Sequence, residues 1–291
     1  MKYLFFGTPE FAAIILEKLI SVGFVPEAVV CNPDKPVGRR KIITPPPTKV
    51  LTGKYNIKVF QPEILANSKF QIPNSKFDFF VVAAYAKIIP KEILEIPRLG
   101  AIGVHPSLLP KYRGSSPIQA AILNGDEKTG TTLFLMDEKV DHGPILAKSE
   151  IQISKSETYE SLHDKLAKLG AELLIKLLPS MEALQLTGAL EPQDESQATY
   201  TKKFTTQDTC IEPKDLEIAQ QQGGQIAMET DRKIRALNPE PGVWTYAKAL
   251  TNRHIRIAEN KRMKLLEAEL IDGNKLRLKK VQFEGKKPVE I

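Results

Sequence analysis

The chain has 291 residues, of which 42% are hydrophobic and 26% are charged, and its formal net charge is +6. This composition is typical of a folded globular protein and excludes a disordered or fibrous chain. The longest apolar run is far shorter than the roughly 20 residues of a membrane helix, and the apolar start of the chain lacks the pattern of a signal peptide. Because Cys31 and Cys210 have no metal-site spacing, we expect reduced thiols in a cytoplasmic protein.

The first elements predict the strand–turn–helix opening of a Rossmann-like fold. Residues 2–6 form an apolar strand, and apolar residues then recur at helical spacing between Phe11 and Leu19. Thr8 is a candidate N-cap for this helix. The turn at Gly7 lacks the G-x-G-x-x-G pattern, so we do not expect it to bind a dinucleotide.

A long basic loop follows the second predicted strand, which covers residues 25–31. Prolines stiffen both flanks of residues 32–47, and the cations of this loop are Lys35, Arg39, Arg40 and Lys41. A long loop in a compact domain is usually functional, and clustered cations suit contacts with phosphate groups. We therefore interpret the loop as a phosphate-contacting arm, with a merely solvated basic loop as the alternative.

An apolar stretch and a proline-rich motif define the centre of the first domain. Residues 78–84 have the continuous apolar character of a buried parallel strand. A second apolar run ends at His105, after which Pro106 and Pro110 prevent a sheet or a helix from continuing. We expect the stiff segment 106–110 to offer free main-chain groups to a ligand, at an edge where open α/β sheets bind their ligands.

The remaining chain predicts the end of one domain and the start of another. A strand–turn–strand unit over 130–153 carries Asp141 in its turn, and an amphipathic helix follows at 158–178. A polar stretch after this helix predicts an extended linker. We place a catalytic domain at 1–187, the linker at 188–209 and a second domain at 210–291.

The second domain has short strand-like runs and a basic character. The runs cover residues 243–246, 254–258, 263–270 and 275–283, and Asp272-Gly273 is a hairpin signal between the last two. Several short strands of this kind suit a small barrel. Residues 244–288 hold twelve Lys/Arg against five Asp/Glu, a larger excess than that of the whole chain. We therefore expect the basic charge of the protein to be concentrated in this domain.

The motif that begins at His105, His-Pro-Ser-Leu-Leu-Pro-Lys-Tyr-Arg-Gly, resembles the signature of the folate-dependent formyltransferases. That family has a strand ending in Asn-x-His, then Ser-Leu-Leu-Pro, and then an aspartate farther along, which here is Asp141. The basic loop and the second domain make the chain similar to the methionyl-tRNA formyltransferases in particular. The resemblance implies an α/β fold, with a Rossmann-like formyltransferase domain built on a mostly parallel sheet and a small C-terminal OB-like β-barrel domain.

The resemblance also implies an activity and its site. It implies that a metal-free monomer transfers a formyl group from 10-formyltetrahydrofolate to the amino group of initiator methionyl-tRNA. His105 would take the oxyanion and proton role, and Asp141 the orienting or relay role. The folate would lie against Tyr85, Ala86, Ile88, Ser107, Leu108, Leu109 and Pro110. The tRNA would contact the basic second domain and, in the loop, Lys35, Arg39, Arg40 and Lys41.

Two positions depart from the family pattern. Gly103 stands where the family has the asparagine that presents an amide N–H to the forming oxyanion, and loss of one such donor slows a reaction roughly a hundred- to a thousandfold. We therefore expect Gly103→Asn to raise turnover about tenfold or more. Ala86 is a milder departure, because the family usually has glycine there.

Two alternatives stay open at this point. The first is a formyltransferase that acts on an amino-sugar nucleotide or another small amine, against which the basic loop and the second domain argue. The second is a catalytically weak relative that binds tRNA or folate, for which Gly103 is the evidence. Zinc chemistry is not indicated, because the sequence has neither H-E-x-x-H nor a cysteine pair.

Overall fold

The computed structural model describes residues 1–38, 40–65, 76–181, 190–246 and 261–291. These residues divide into two compact units, each assembled from three stretches of the chain. The first unit consists of Met1–Gly114, Thr129–Ile151 and His163–Tyr200. The second unit consists of Ser115–Lys128, Gln152–Leu162 and Thr201–Ile291. The predicted domain boundary at residue 187 lies outside the described residues.

The secondary structure of the described residues follows in chain order. The strands are β1 (Tyr3–Gly7), β2 (Ala28–Val30), β3 (Lys35–Val37), β4 (Ile42–Thr44), β5 (Lys58–Phe60), β6 (Phe79–Ala83), β7 (Ala101–His105), β8 (Arg113–Gly114), β9 (Lys128–Leu135), β10 (Ile145–Gln152), β11 (Tyr200–Thr201), β12 (Trp244–Tyr246), β13 (Arg262–Ile271), β14 (Lys275–Phe283) and β15 (Val289–Glu290). The α-helices are α1 (Glu10–Ser21), α2 (Pro47–Lys54), α3 (Lys91–Leu94), α4 (Pro117–Asn124), α5 (Tyr159–Leu177), α6 (Pro213–Gln221) and α7 (Gly224–Leu237).

Seven strands form one mixed sheet in the order β10-β9-β7-β6-β1-β2-β5. The pairings from β5 through β2, β1 and β6 to β7 are parallel, and β9 runs antiparallel to β7. This mostly parallel sheet confirms the predicted Rossmann-like architecture. The strand order reverses beside β1, and the carboxyl ends of the neighbouring strands β6 and β7 meet at one edge, which is where such sheets bind ligands.

The centre of the sheet is buried because its strands are apolar at every position. All five residues of β1 and all five of β6 are buried, as expected for parallel strands covered on both faces. The rings of Phe6 and Phe80 lie 5.2 Å apart between their centroids, and Tyr85 packs edge-on to Phe6 at 5.5 Å. Full burial of one such aromatic side chain contributes about 1.5–3 kcal/mol to folding.

Helix α1 begins one residue later than the predicted N-cap at Thr8 implies. The N-cap of α1 is Pro9, and the Thr8 hydroxyl instead accepts a hydrogen bond from the Asn32 main-chain N–H at 3.1 Å. Thr8 therefore ties the β1 turn to the end of β2. The first-turn Glu10 and last-turn Lys18 of α1 have the charges that its dipole favours.

The predicted loop at 32–47 contains a hairpin. Strands β3 and β4 pair antiparallel, with Lys35 opposite Thr44 and Val37 opposite Ile42. Gly38 has a φ of 70° in the connecting turn, which glycine adopts without strain. We predicted a loop here from the charge and proline content of the segment. The two strands have only three residues each, and so they gave no periodic pattern in the sequence.

The C-terminal part of the second unit is an antiparallel sheet in the order β12-β13-β14-β15. The predicted hairpin signal lies between β13 and β14, where Gly273 has a φ of 72°. The predicted strand at 254–258 lies outside the described residues. The described strands therefore establish an antiparallel sheet, and the OB-like barrel stays a prediction.

Helix α6 is absent from the sequence prediction because its apolar pattern is weak. Only Leu216 and Ala219 are buried among its nine residues. Among the described residues, no helix is both long enough and apolar enough to cross a membrane. Cys31 is buried and Cys210 half-buried, and both are free thiols.

Candidate functional site

His105 and Asp141 meet at the carboxyl end of β7. His105 is the last residue of that strand and is 5% exposed. Its Nδ1 atom lies 3.5 Å from Oδ2 of Asp141, and its Nε2 atom lies 2.8 Å from the main-chain oxygen of Tyr112. The fold thus brings together the two residues that the sequence motif pairs.

Both ring nitrogens of His105 face acceptors. A neutral imidazole has a single N–H, whereas the doubly protonated ring has two. Only the doubly protonated ring can therefore donate toward the Tyr112 carbonyl and the Asp141 carboxylate at once.

Asp141 is held through both its carboxylate and its main chain. Its Oδ2 atom accepts a hydrogen bond from the Gly114 main-chain N–H at 2.8 Å. The side-chain amide of Gln193 donates to the main-chain oxygens of Asp141 at 2.9 Å and Gly143 at 2.8 Å. Gln193 lies in the predicted linker, where its polar neighbours gave no signal of a role at the site.

Gln193 is itself held by a buried arginine. Its Oε1 atom accepts from Nε and Nη2 of Arg113 at 3.1 and 2.8 Å, and Arg113 is fully buried. The Arg113 guanidinium also pairs with Glu195, at 2.6 Å for Nη2 to Oε1. This pairing keeps the pKa of the Glu195 carboxyl below its usual range.

Left-handed backbone is concentrated around the site. Seven described non-glycine residues have a positive φ, and four of them follow β6 or flank the His–Asp contact. These four are Ala84, Ala86, Tyr112 and Asp141, with φ between 47° and 61°. Such a conformation costs roughly 1–2 kcal/mol per residue and persists where the surrounding structure holds it.

The main chain between residues 106 and 110 is bonded within the protein. The Ser107 N–H donates to the His105 carbonyl at 2.9 Å, and the Ser107 carbonyl accepts from the Thr132 hydroxyl at 2.7 Å. The Leu109 N–H donates to the Thr132 hydroxyl at 3.1 Å, and the Pro110 carbonyl accepts from the Thr199 N–H at 3.2 Å. The expectation of free main-chain groups is therefore wrong for the N–H groups of Ser107 and Leu109 and for the carbonyls of Ser107 and Pro110.

The candidate folate residues differ widely in exposure. Ser107 and Leu109 are buried, whereas Leu108 and Pro110 are half-buried. Ile88 is 90% exposed and presents an apolar side chain beside the carboxyl end of β6.

The other two candidate folate residues follow β6 directly. The Tyr85 ring lies in the core, and burial raises the pKa of its hydroxyl to about 12. Its main-chain oxygen accepts from the Asn32 amide at 3.1 Å. Ala86 is exposed, with a φ of 60°.

An aromatic ring fills the space in which a side chain on Gly103 would lie. Gly103 pairs with Phe134 across β7 and β9. A Cβ atom on Gly103 would lie 2.4 Å from Cε1 and 2.5 Å from Cζ of the Phe134 ring. Phe134 is itself buried and packs with Leu109 and Ile145. An asparagine at position 103 therefore has no room unless the Phe134 ring moves.

The described cationic side chains of the basic hairpin are exposed to solvent. Lys35, Arg40 and Lys41 are exposed, and Arg39 lies outside the described residues. Asp34 at its base is paired with Lys49 at 2.9 Å, and Gln61 and Lys49 lower the pKa of the Asp34 carboxyl. Because Lys49 already compensates the charge of Asp34, Lys35, Arg40 and Lys41 are not needed to neutralise this carboxylate.

In the described ranges, no group of three or more His, Cys, Asp and Glu side chains is placed to hold a metal ion. His142 pairs instead with Asp137 through Nδ1, at 2.5 Å, and with Glu195 through Nε2, at 3.5 Å.

Comparison with known sequences identifies a family. A family model described as formyl transferase matches residues 1–178. A methionyl-tRNA formyltransferase of Halorhodospira halophila (strain DSM 244 / SL1) is 42% identical over 242 residues, which cover 83% of this chain and 74% of that protein. A methionyl-tRNA formyltransferase of Staphylococcus aureus (strain JH1) is 38% identical over 277 residues, which cover 94% and 81%.

Solved structures share the fold at low identity. WlaRD, a sugar 3N-formyl transferase, superposes with a TM-score of 0.57 at 18% identity over 98% of each chain. A 4-N formyltransferase from Francisella tularensis superposes with a TM-score of 0.58 at 18% identity, over 89% of this chain and 98% of that one. These likenesses establish the fold of the chain.

Replacement of Ala86 by glycine is expected to stabilise the protein. Glycine adopts a positive φ without the Cβ clash, so Ala86→Gly should raise the free energy of unfolding by about 1 kcal/mol in urea titrations. Ala198→Gly is the matched control, because Ala198 has a φ of −67°. That control should be neutral or destabilising. Equal effects of the two changes would show that the left-handed backbone at Ala86 is not strained.

Gly103→Asn is expected to destabilise the protein through the Phe134 ring. Overpacking of this kind costs about 1–3 kcal/mol, measured by urea unfolding. Phe134→Leu should relieve much of that loss, so the double variant should be more stable than the sum of the single effects by roughly 0.5–3 kcal/mol. Additive effects would mean that Phe134 is not what excludes a side chain at position 103.

Proposed function

The chain belongs to the methionyl-tRNA formyltransferase family, and on that premise we propose that it transfers a formyl group from 10-formyltetrahydrofolate to the amino group of initiator methionyl-tRNA. The observation that carries the proposal is the His105–Asp141 contact of 3.5 Å, in a chain 38–42% identical to relatives of that name. The reaction serves translation initiation, and we place it in the cytoplasm.

The reaction forms one carbon–nitrogen bond and breaks another. The amine of methionine attacks the formyl carbon, and a tetrahedral oxyanion forms. The bond from that carbon to the folate nitrogen then breaks. The amine loses a proton, and the folate nitrogen gains one. We assign movement of the proton to His105 and, once its Nε2 atom exchanges the contact with the Tyr112 carbonyl for one with the substrate, donation to the oxyanion.

Asp141 would orient the imidazole and balance its charge. The Gly114 N–H already bonds its Oδ2 atom at 2.8 Å, so the carboxylate is in place before the reaction begins. A proton relay through water between Asp141 and the substrate amine is compatible with this geometry. Gly103, at the position of the family asparagine, supplies no side-chain donor.

The folate would bind at the carboxyl edge of β6 and β7. The exposed Ile88 offers an apolar surface for a flat ring, and the left-handed backbone at Ala86 turns the chain at that edge. The half-buried Leu108 and Pro110 would line the other side of the site, and Ser107, Leu109 and the core residue Tyr85 would support it.

The tRNA would contact two basic regions. The hairpin residues Lys35, Arg40 and Lys41 are exposed, and we include Arg39 with them. We also propose that residues 210–291 form a basic, OB-like tRNA-binding domain, joined to the catalytic domain at 1–187 by residues 188–209. We further propose that the enzyme acts as a monomer.

The proposed reaction is tested with purified protein and two acceptors. Initiator tRNA charged with methionine and a labelled 10-formyltetrahydrofolate should yield formyl-methionine on the tRNA. An amino-sugar nucleotide, offered under the same conditions, should stay unmodified. Transfer to the sugar in place of the tRNA, or to neither, would refute the proposal.

Loss of His105 or Asp141 is expected to remove most turnover while tRNA binding is kept. General acid–base groups contribute roughly a hundred- to ten-thousandfold, so His105→Ala and Asp141→Asn should each lower kcat within that range. Single-turnover formylation and tRNA gel shifts measure the two properties separately.

The control for these variants is His163→Ala. His163 also pairs with an aspartate, Asp164, at 2.9 Å, but it lies in α5. Its loss should leave kcat close to that of the unaltered protein. A variant of His105 or Asp141 with normal kcat would remove that residue from the mechanism.

The basic hairpin is expected to set the salt dependence of tRNA binding. Each lost phosphate contact lowers the slope of log K against log salt by roughly 0.7–0.9. Arg39→Ala, Arg40→Ala and Lys41→Ala combined should therefore weaken tRNA binding at low salt and flatten its salt dependence, measured by filter binding. Folate binding should be unchanged.

A charge-matched control separates local contacts from net charge. Lys18, Lys54 and Lys91 are exposed lysines on three helices, and their combined replacement by alanine removes the same charge. This control should bind tRNA more tightly than the hairpin variant. Equal loss in both would mean that the hairpin acts only through the net charge of the protein.

A further inference from the structure

Residues 190–200 bond Asp141 directly and reach His105 through Tyr112. Sequence alone assigned this stretch to a linker. In the structure Gln193 bonds the turn that carries Asp141, and Thr199 bonds the segment that follows His105. The Thr199 hydroxyl accepts from the Tyr112 N–H at 2.8 Å, and the Tyr112 carbonyl contacts His105 Nε2.

Both the NH₂ group and the oxygen of the Gln193 side-chain amide form hydrogen bonds. Its Nε2 atom donates to the carbonyls of Asp141 and Gly143, at 2.9 and 2.8 Å. Its Oε1 atom accepts from Arg113. Because a guanidinium has only donors, Arg113 fixes which end of the amide faces it, and the NH₂ end must face the turn.

The turn has an uncommon backbone conformation, which the hydrogen bonds of Gln193 hold in place. Asp141 has a φ of 49°, in the left-handed region that aspartate tolerates better than most residues other than glycine. One NH₂ group bridges carbonyls two residues apart and so fixes the turn from Asp141 to Gly143. The Asp141 side chain then reaches the Gly114 N–H and His105 from a fixed main chain.

Resting on the proposed function, we propose that Gln193 is a positioning residue for formyl transfer, which places the Asp141 carboxylate against His105. Arg113 orients the amide, and Glu195 in turn holds Arg113 with Nη2 to Oε1 at 2.6 Å. Gln193 touches no reacting atom in this scheme. Its effect on the reaction passes through the position of Asp141.

Two substitutions separate the donor from the acceptor function of the amide. Gln193→Met keeps the length of the side chain and loses both hydrogen-bonding ends. Gln193→Glu keeps an oxygen for Arg113 and loses the Nε2 donor to the turn. Both variants should lower kcat roughly ten- to a hundredfold, because a catalytic group displaced by about 1 Å loses that much. The KM values for folate and tRNA should be unchanged.

The matched control is Gln197→Ala on the same segment. Gln197 is exposed, and its amide donates to Asp194 at 2.7 Å. This variant should keep the kcat of the unaltered protein. The fraction of folate-binding sites is titrated in every variant, so that a loss of folded protein is not read as a loss of kcat.

A second measurement is independent of turnover. The Gly114 amide donates to the Asp141 carboxylate, so its hydrogen exchange reports whether that carboxylate is in place. Exchange at Gly114 should be faster in Gln193→Met and Gln193→Glu than in Gln197→Ala. If the unaltered protein transfers no formyl group, the proposed reaction fails, while this comparison still decides whether Gln193 holds Asp141.

The inference is overturned by any of three results. One is a normal kcat in Gln193→Met or Gln193→Glu. Another is a loss that appears in KM or follows the fraction of folate-binding sites. The third is unchanged exchange at Gly114 in both Gln193 variants.

Discussion

The hydrogen bonds that hold the Asp141 turn are the constraint on which the site depends. His105 is fixed by the end of a buried strand, so its position follows from the sheet. Asp141 lies in a turn with left-handed backbone and has no such support of its own. Its carboxylate reaches His105 because Gly114 and Gln193 hold the turn by its side chain and by its main chain. The site is therefore assembled from a rigid strand and a restrained turn.

The Arg113 guanidinium, which orients the Gln193 amide, is a buried charge. Arg113 is fully buried, and an unpaired guanidinium there would be strongly destabilising. Its charge is compensated by Glu195, and its donors bond Glu195, the Gln193 amide and the Tyr200 hydroxyl. The same contacts that satisfy the buried charge orient the amide toward Asp141. Stability and positioning thus share one set of hydrogen bonds.

Gly103 and Phe134 show how a departure from a family motif is accommodated. The space that a side chain on Gly103 would fill holds the Phe134 ring. Position 103 of β7 has no side chain, and the Phe134 ring of β9 fills the space beside it. The strand is well packed at this point, and position 103 offers no side-chain donor.

The sequence by itself determined the family, the longer strands and helices of the first domain and, through the family pattern, the residues of the His–Asp pair, but it missed β3 and β4. Apolar runs such as Phe79–Ala83 identify buried strands because burial on both faces excludes polar side chains. The motif at His105 identified the site because its residues are contiguous in the chain. Both signals are local, so they can be read without the fold.

Only the tertiary structure decided the roles of Gln193, Arg113 and Phe134. Each acts across a long separation in the chain: Gln193 bonds Asp141, and Phe134 lies opposite Gly103 on a neighbouring strand. No periodicity or spacing marks a polar residue in a linker-like stretch as part of a site. The bonding of the main chain at 106–110 was misjudged for the same reason, because its partners Thr132 and Thr199 come from distant segments.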